Sequence, residues 1–507
     1  MKSRFLLGAA LVAAPFAAVS VEAQAVPKIK NVIVVVNDGG GPTVYDAFRM
    51  FKGKLPVTST AKFKKTWVST HPLRPDSSTN NTPGTDDQDP SVVYDSAKYW
   101  DATPIAGPST AAGYSAYPAA FAGYEWSRYA HPDSGNTASS LSNGVKTYNN
   151  AINVDGSGDP QTTIVDLLQA SRKAGKRTGV VTTVEFSDAT PSALGGAHNI
   201  ARANRQAIAA EMFGTGNLDV IAGAGNPDYN NDGQPQTANY NWISQNLWTD
   251  LKNGTNIFGG NSWNFRLVED KAEIVDMANG SVPAPEKLAM IVKAFTSLQF
   301  NRSGDTTNPQ DPHTKEPFTD ALNANVPSHK DMTLAALNAL GRTTNPKSGK
   351  AKGFYLMTEA GAVDRAEHAN NTGRMLEEMQ ASDDTVQAII DWVNRDDTDA
   401  TWGNTLLIVT ADHDHLLYGP DAERIPFQGL KTNGPGKTPR HKWFGPNHGT
   451  GLVPLFAYGR GSDELIALAT NVDTFTDGQG RTWGHGNYLD QTDVGKFLKA
   501  AVSTSAE

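Results

Sequence analysis

Thr405-Leu-Leu-Ile-Val-Thr-Ala-Asp412-His413-Asp-His415 decides the fold. Leu406 to Thr410 is a run of apolar and β-branched residues with no polar alternation, the pattern of a strand buried on both faces of a parallel sheet. It stops abruptly at an acid and an imidazole, both able to ligate a metal. Ligands of open α/β sheets bind beyond the carboxyl ends of the strands, so this stretch predicts an architecture and also the edge that carries the chemistry. A single Asp-His pair suits capping or solvation equally well; its recurrence elsewhere gives it weight.

Other strands end the same way. Asn31-Val-Ile-Val-Val-Val-Asn37 runs into Asp38-Gly-Gly-Gly-Pro42, whose glycines let the backbone turn sharply. Thr178 to Thr183 leads to Ser187-Asp188-Ala-Thr190-Pro191 and then to His198-Asn-Ile-Ala-Arg202, read as part of a helix. Gly353 to Thr358 ends in Glu359-Ala-Gly-Ala-Val-Asp364-Arg-Ala-Glu-His368, and His448 precedes Val453 to Tyr458, read as the last strong strand. Asp219 to Gly223 is a further short strand. Helices are expected at Thr163–Ala174, where Thr163 and Asp166 form a capping pattern, at Pro285–Leu298, from Met375 to Val393, and at Asp493–Val502. The prediction is an α/β three-layer sandwich: a mostly parallel central sheet flanked by helices, one domain over residues 26–507, with surface insertions near 58–129 and 226–345.

The bulk composition, 38% apolar and 19% charged over 507 residues, is that of a globular protein with a large core. Residues 1–25 are set apart: Lys2 and Arg4 precede the apolar stretch Phe5 to Val19, and Ala23-Gln-Ala25 is a small-residue cleavage site. This reads as an export signal, giving a periplasmic or extracellular protein. Removing it leaves 42 basic and 52 acidic residues, a balance that argues against a nucleic-acid partner. No later segment has the roughly 20 apolar residues a membrane span needs. Cysteine is absent, which excludes thiolate metal sites and disulfides. In the aromatic stretch to Tyr129, Trp100, Tyr124 and Trp126 read as packing residues. Asp228-Tyr-Asn230-Asn-Asp232-Gly233 opens like a calcium loop, but Asn239 occupies the position of the bidentate acid, so it reads as a solvated turn.

Asp133-Ser134 sits where a helix begins. Capping explains most such residues, yet a hydroxyl facing unpaired N–H groups at a helix N-terminus also suits a phosphate. A doubly wound sheet brings Asp38, Asp188, Glu359, Asp364 with His368, and Asp412 with His413 to one edge. Mixed His and carboxylate ligands suit catalytic zinc, and an oxygen-only set of Asp, Thr and Glu suits magnesium.

These pieces resemble the alkaline phosphatase family: the first strand with Asp38-Gly-x-Gly, Asp133-Ser134, Asp188-Ala-Thr190-Pro191, Arg202, Glu359-x4-Asp364-x3-His368, Thr410-Ala-Asp412-His413, and His448 before Val453-Pro454. They follow the family's order across residues 31–459. The resemblance implies one zinc held by Asp364, His368 and His448, and a second held by Asp38, Asp412 and His413. It implies a magnesium held by Asp38, Asp188, Thr190 and Glu359. Ser134 becomes the nucleophile and Arg202 the phosphate clamp in hydrolysis of phosphate monoesters through a phosphoserine. Family members are often dimers, so a homodimer is among the expectations. His448 is followed by Gly449-Thr450 where the family commonly has Thr then Gly, and Asn37 replaces a usual glycine. Arg365 occupies a position that varies in the family, where contact with phosphate and pairing with Asp188 are both open. His415 is read as structural, although it lies close to the ligand strand.

Two other readings compete. A phosphodiesterase or sulfatase could use the same scaffold, although Ser134 lacks the x-Pro-x-Arg that sulfatase cofactor formation needs. A secreted protein with purely structural metals would need neither Ser134 nor Arg202.

Overall fold

The computed structural model describes residues 26–75, 87–159, 166–255, 257–258, 261–304, 315–341 and 352–503. The expected export segment, residues 1–25, and Thr163 with Ile164 lie outside them.

Eleven strands form one sheet. In chain order they are β1 Asn31–Val36, β2 Lys64–Ser69, β3 Arg177–Glu185, β4 Val220–Ala224, β5 Arg266–Val268, β6 Leu288–Ile291, β7 Phe354–Glu359, β8 Thr405–Thr410, β9 Val453–Gly459, β10 Asn471–Thr476 and β11 Thr482–Asp490. Their spatial order is β10-β11-β2-β9-β8-β1-β7-β3-β4-β6-β5. From β8 to β5 every neighbour is parallel. β9 runs antiparallel to β8 and β2, and β10 antiparallel to β11.

Sequence dictates the layers. Every residue of β1, β7 and β8 is buried, as continuous apolar strands demand when both faces are covered. Alternation then divides the side chains. Val32, Val34 and Val36 join a core with Leu141, Leu167 and Leu498, from helices Ser134–Asn143, Leu167–Lys173 and Gln491–Ser503. Ile33 and Val35 face the opposite core with Leu337 and Ile389, from helices His329–Leu340 and Thr372–Val393. The helix predicted from Thr163 is described from Leu167, with Asp166 capping it by accepting from Gln169 N.

Register aligns the strand ends. Val36 lies opposite both Glu359 and Thr410, and Glu359 opposite Thr182. Asn37 N then donates to Thr410 O and Ala360 N to Val36 O, each at 2.8 Å, so the chain leaves β1 and enters the β7 loop at one edge. Beyond β8, Asp414–Tyr418 and Lys442–Gly449 pair as an antiparallel hairpin with His415 opposite His448.

Several expectations fail. Residues 285–298 are not a helix: the short apolar run Leu288–Ile291 is β6, and such a run is ambiguous by periodicity alone. His198 to Arg202 is not helical either; Asn199 bridges Ile152, and the helix starts at Arg205. Val453–Gly459, read as the last strong strand, is followed by β10 and β11, which are largely exposed. The stretches 58–129 and 226–345 contribute β2, β5 and β6 to the main sheet and are therefore not wholly surface elaboration.

Tyr124 is fully buried and stacks on Tyr418 at 4.6 Å, and Trp100 stacks on Trp483 at 5.9 Å, so both pack as read. At the turn beginning with Asp228, Asp228 Oδ2 accepts from Trp248 Nε1 and Lys252 Nζ, while Asn230 Oδ1 accepts from Asp232 N and Gln234 N. The Asp228 oxygen is spent on helix Gln245–Asn253 and the Asn230 oxygen on the turn itself. Among the described residues, no helix is long and apolar enough to cross a membrane.

Candidate active site

Asp38 leaves β1 and Asp412-His413 leaves β8. His413 Nε2 lies 3.2 Å from Asp38 Oδ1 and 3.3 Å from Asp412 Oδ2, with all three residues buried. Gly39 N and His413 N donate to Asp412 Oδ1 and fix that carboxylate. Ser134 opens its helix beside them, its Oγ 3.3 Å from His413 Nε2. Asp133 caps the helix by accepting from Asn136 N at 3.2 Å. The cap and the candidate nucleophile are therefore neighbours, and both functions read from the sequence coexist.

A second group gathers on Asp364. Its Oδ1 lies 3.3 Å from His368 Nε2, 3.2 Å from His448 Nε2 and 2.8 Å from His415 Nε2. Helix Ala362–His368 sets Asp364 and His368 one turn apart on one face. His368 Nδ1 donates to Pro446 O at 2.7 Å and His448 Nδ1 to Pro132 O at 2.8 Å. With Nδ1 so committed, the neutral form of each ring turns its Nε2 lone pair to the group's centre, the tautomer that metal ligation requires.

The oxygen set is also close-knit. Glu359 Oε2 accepts from Thr182 Oγ1 at 2.5 Å. Thr190 Oγ1 lies buried beside the Glu359 carboxyl, and Asp38 Oδ1 is buried with no hydrogen-bond partner among the described residues. Burial, with Asp188 and Asp412 nearby, pushes the Glu359 carboxyl up to about 8. Burial and the charge of Asp412 push Asp38 well above the carboxylate range, and burial lifts Asp412 to about 6. Asp364 goes the other way: burial opposes it, but the imidazole of His368 holds it well below. Three buried carboxyls pushed above the usual carboxylate range, two imidazoles in the ligating tautomer and the orphaned Asp38 oxygen fit divalent cations, which would supply the missing positive charge. The ligand atoms of Asp364, His368, His415 and His448 lie within 4.8 Å of one another, as do those of Asp38, Asp412 and His413.

Arg202 spans two acids. Its Nη1 donates to Asp133 Oδ2 at 3.1 Å and its Nη2 to Asp188 Oδ1 at 3.0 Å. Arg365, left open by the sequence, donates to Asp188 Oδ2 at 2.7 Å and Glu185 Oε2 at 3.0 Å. Asp188 stays ionised: burial raises its pKa, but Arg202, Arg365 and Arg205 together depress it strongly. Asp188 is N-cap of helix Ala189–Leu194 by position, with no side-chain capping bond. All eleven residues singled out, Ser134 and Arg202 with the nine ligand candidates, sit at this edge of the sheet or on the loops and helices leading from it.

Sequence reasoning missed His415, Glu185 and Arg205 as members of the site. For His415 a signal existed: strand alternation returns residues 413 and 415 to the same side.

The alkaline phosphatase family profile matches residues 121–437. Asp38 and His448 fall outside that match, yet the fold brings them in. The chain is 25% identical over 405 residues to alkaline phosphatase 3 of Bacillus subtilis, covering 78% of this chain and 64% of that protein. It is 27% identical over 402 residues to the alkaline phosphatase of Escherichia coli strain K12, covering 73% and 74%. It spans 49% of alkaline phosphatase 4 of Bacillus subtilis, to which it is 28% identical over 286 residues. The chain therefore spans under two thirds of both Bacillus subtilis relatives. The fold matches that of the alkaline phosphatase from the Antarctic bacterium TAB5, with a TM-score of 0.57 and 19% identity, over 94% of this chain and all of that one. With its profile match covering more than half the residues and its ligand candidates assembled at one sheet edge, the chain belongs to the alkaline phosphatase family.

Proposed function

We propose that this protein is a metal-dependent phosphomonoesterase that releases inorganic phosphate through a phosphoserine at Ser134. The observation that carries this reading is the position of Ser134 Oγ: 3.3 Å from His413 Nε2, at a helix N-terminus, with Arg202 ion-paired to the adjacent Asp133. A purely structural metal centre has no use for that serine or that guanidinium.

Asp364, His368 and His448 would hold one zinc, and Asp38, Asp412 and His413 a second. Asp38, Asp188, Thr190 and Glu359 would surround a magnesium. Bound there, the cations supply Lewis acidity and charge that neither imidazole nor carboxylate provides. The chain's own residues do the rest. Arg202 presents its planar fork to two nonbridging oxygens of the phosphoryl group, a geometry lysine cannot copy. The N–H groups of the helix that Ser134 opens favour negative charge at its hydroxyl. Ser134 Oγ attacks phosphorus in line and gives up its proton, the P–O bond to the leaving group breaks, and the alcohol departs carrying the equivalent proton. Water then attacks the phosphoserine from the side the alcohol left; the Ser134 P–O bond breaks, one water proton restores the Ser134 hydroxyl and inorganic phosphate is released. Binding concentrated on the phosphoryl end implies broad tolerance of leaving groups. Residues 1–25 are the proposed export signal of a periplasmic or extracellular enzyme.

The test compares an aryl phosphate monoester with the matching diester and sulfate, before and after chelation and after zinc and magnesium are restored. Dominant monoester turnover, lost with chelator and recovered with metals, is the expected result. A preference for diester or sulfate overturns the pocket assignment, and no turnover in any metal regime overturns catalysis.

A further inference from the structure

Arg202 does not stand alone. Arg205 lies three residues further on, at the start of helix Arg205–Gly214. Its Nη1 donates to the same Asp188 Oδ1 that Arg202 uses, at 3.3 Å, and to the main-chain oxygen of Arg202, also at 3.3 Å. Its guanidinium sits 4.5 Å from the ring centre of Trp242, a geometry that holds the group by cation–π attraction. Trp242 is 7% exposed and is tied back to the strand that leads to Asp188, because Ser187 Oγ donates to Trp242 O at 2.9 Å.

The geometry favours a positioning role over a substrate contact. The Arg205 side chain is 18% exposed, and its contacts run inward to Asp188, the Arg202 main chain and Trp242. Asp188 by itself could rotate, and Arg202 would follow it. With Arg365 on Oδ2 and Arg205 on Oδ1, that carboxylate is held from both sides. A clamp whose partner is fixed loses less rotamer freedom when phosphate arrives.

Resting on the reading of Arg202 as the phosphate clamp, we infer that Arg205, seated on Trp242, is a positioning residue: it pre-orients Asp188 and the Arg202 main chain so that the Arg202 fork meets the phosphoryl group.

The experiment uses the metal-loaded full chain and measures kcat, KM and inhibition by inorganic phosphate for Arg205→Ala, Arg205→Lys and Trp242→Ala, alone and combined with Arg202→Ala. Arg205→Ala is expected to raise KM and the phosphate inhibition constant about 5- to 25-fold, as loss of one to two kcal/mol implies at 1.4 kcal/mol per tenfold, with a smaller fall in kcat. Trp242→Ala should move the same constants in the same direction, and Arg205→Lys should recover part of the loss. Combined with Arg202→Ala, neither change should matter further, because residues acting through one group are non-additive. Additive losses in the Arg202→Ala background overturn the inference, as do unchanged constants in the single variants. Thermal melts of each variant separate misfolding from misplacement: the double-variant comparison is made among chains that melt within a few degrees of the parent. A parent enzyme that turns over no monoester defeats the proposed function instead, independently of Arg205.

Discussion

The Nε2 atoms of His368 and His448 lie 3.2 Å apart, each ring having committed its Nδ1 proton to a main-chain carbonyl. Two lone pairs so close repel unless something positive lies between them, and Asp364 Oδ1, equally near both, only adds to the demand. His415 donates the third contact to that oxygen. Replacing it with alanine leaves the nominal zinc ligands intact but frees Asp364 to turn. The zinc concentration for half-maximal activity should rise about 10- to 100-fold, while turnover at saturating zinc stays near that of the parent. Titration of the chelated enzyme checks this; an unchanged zinc requirement would falsify it.

Ser134→Ala removes one oxygen from a buried, well-packed helix start. Turnover should fall by on the order of 10³-fold or more, and bound zinc and melting temperature should hold. Quench experiments with labelled monoester should trap phosphoprotein in the parent and none in the variant.

Glu378 is buried beneath the loop around Phe300, with one carboxyl oxygen lacking a hydrogen-bond partner. Burial, and then the charge of Glu377, push it up to about 8 from a usual value of 4.5. Folded chain therefore keeps a proton that unfolded chain has lost. Its contribution to stability is fully present below about 4.5 and is lost as pH rises toward about 8. Glu378→Gln cannot lose that proton, so relative to the parent its melting temperature should climb across that window and level off above it. Parallel melts at pH 5, 7 and 9 decide the matter, and a constant difference would refute the assignment.

Gly39 and Gly254 both adopt left-handed backbone, with φ of 77° and 66°. A Cβ at Gly254 meets none of the described residues within 4 Å, whereas one at Gly39 would lie 1.9 Å from Glu367 Oε2, which is fully buried. Gly254→Ala should cost about 1 kcal/mol for conformation alone. Gly39→Ala should cost at least about 2 kcal/mol more and also weaken metal retention, since Gly39 N holds Asp412. Denaturant melts of the two variants side by side measure the difference.

The strands whose ends carry the chemistry were readable because both faces of β1, β7 and β8 are covered, leaving apolar runs that nothing else imitates. β5 and β6 were hidden for a related reason. They are only three and four residues long and lie in polar surroundings, so a short buried strand looked like part of a helix. β2 escaped because it mixes lysines with a tryptophan near the sheet's antiparallel flank. Within the site, residue types at strand ends pointed to ligands, but the Arg205 pair depends on how the β3–β4 connection folds back, and the Arg365 pairs on where loops from different strands meet. Pairing across 177 or 180 positions leaves no local trace.

The central pairing of β1 with β7 and β8 joins Val36 to Glu359 and to Thr410. Synthesis delivers those partners late: a ribosome-bound chain halted after Asp412 has three of its innermost strands and the Asp38, Asp412 pair, yet still lacks His413 and His448. Such distant pairings make assembly slow, and ion capture waits on them. On the proposed reading, cation uptake would therefore timestamp the end of folding, and a nascent chain offered zinc early would have nowhere to keep it.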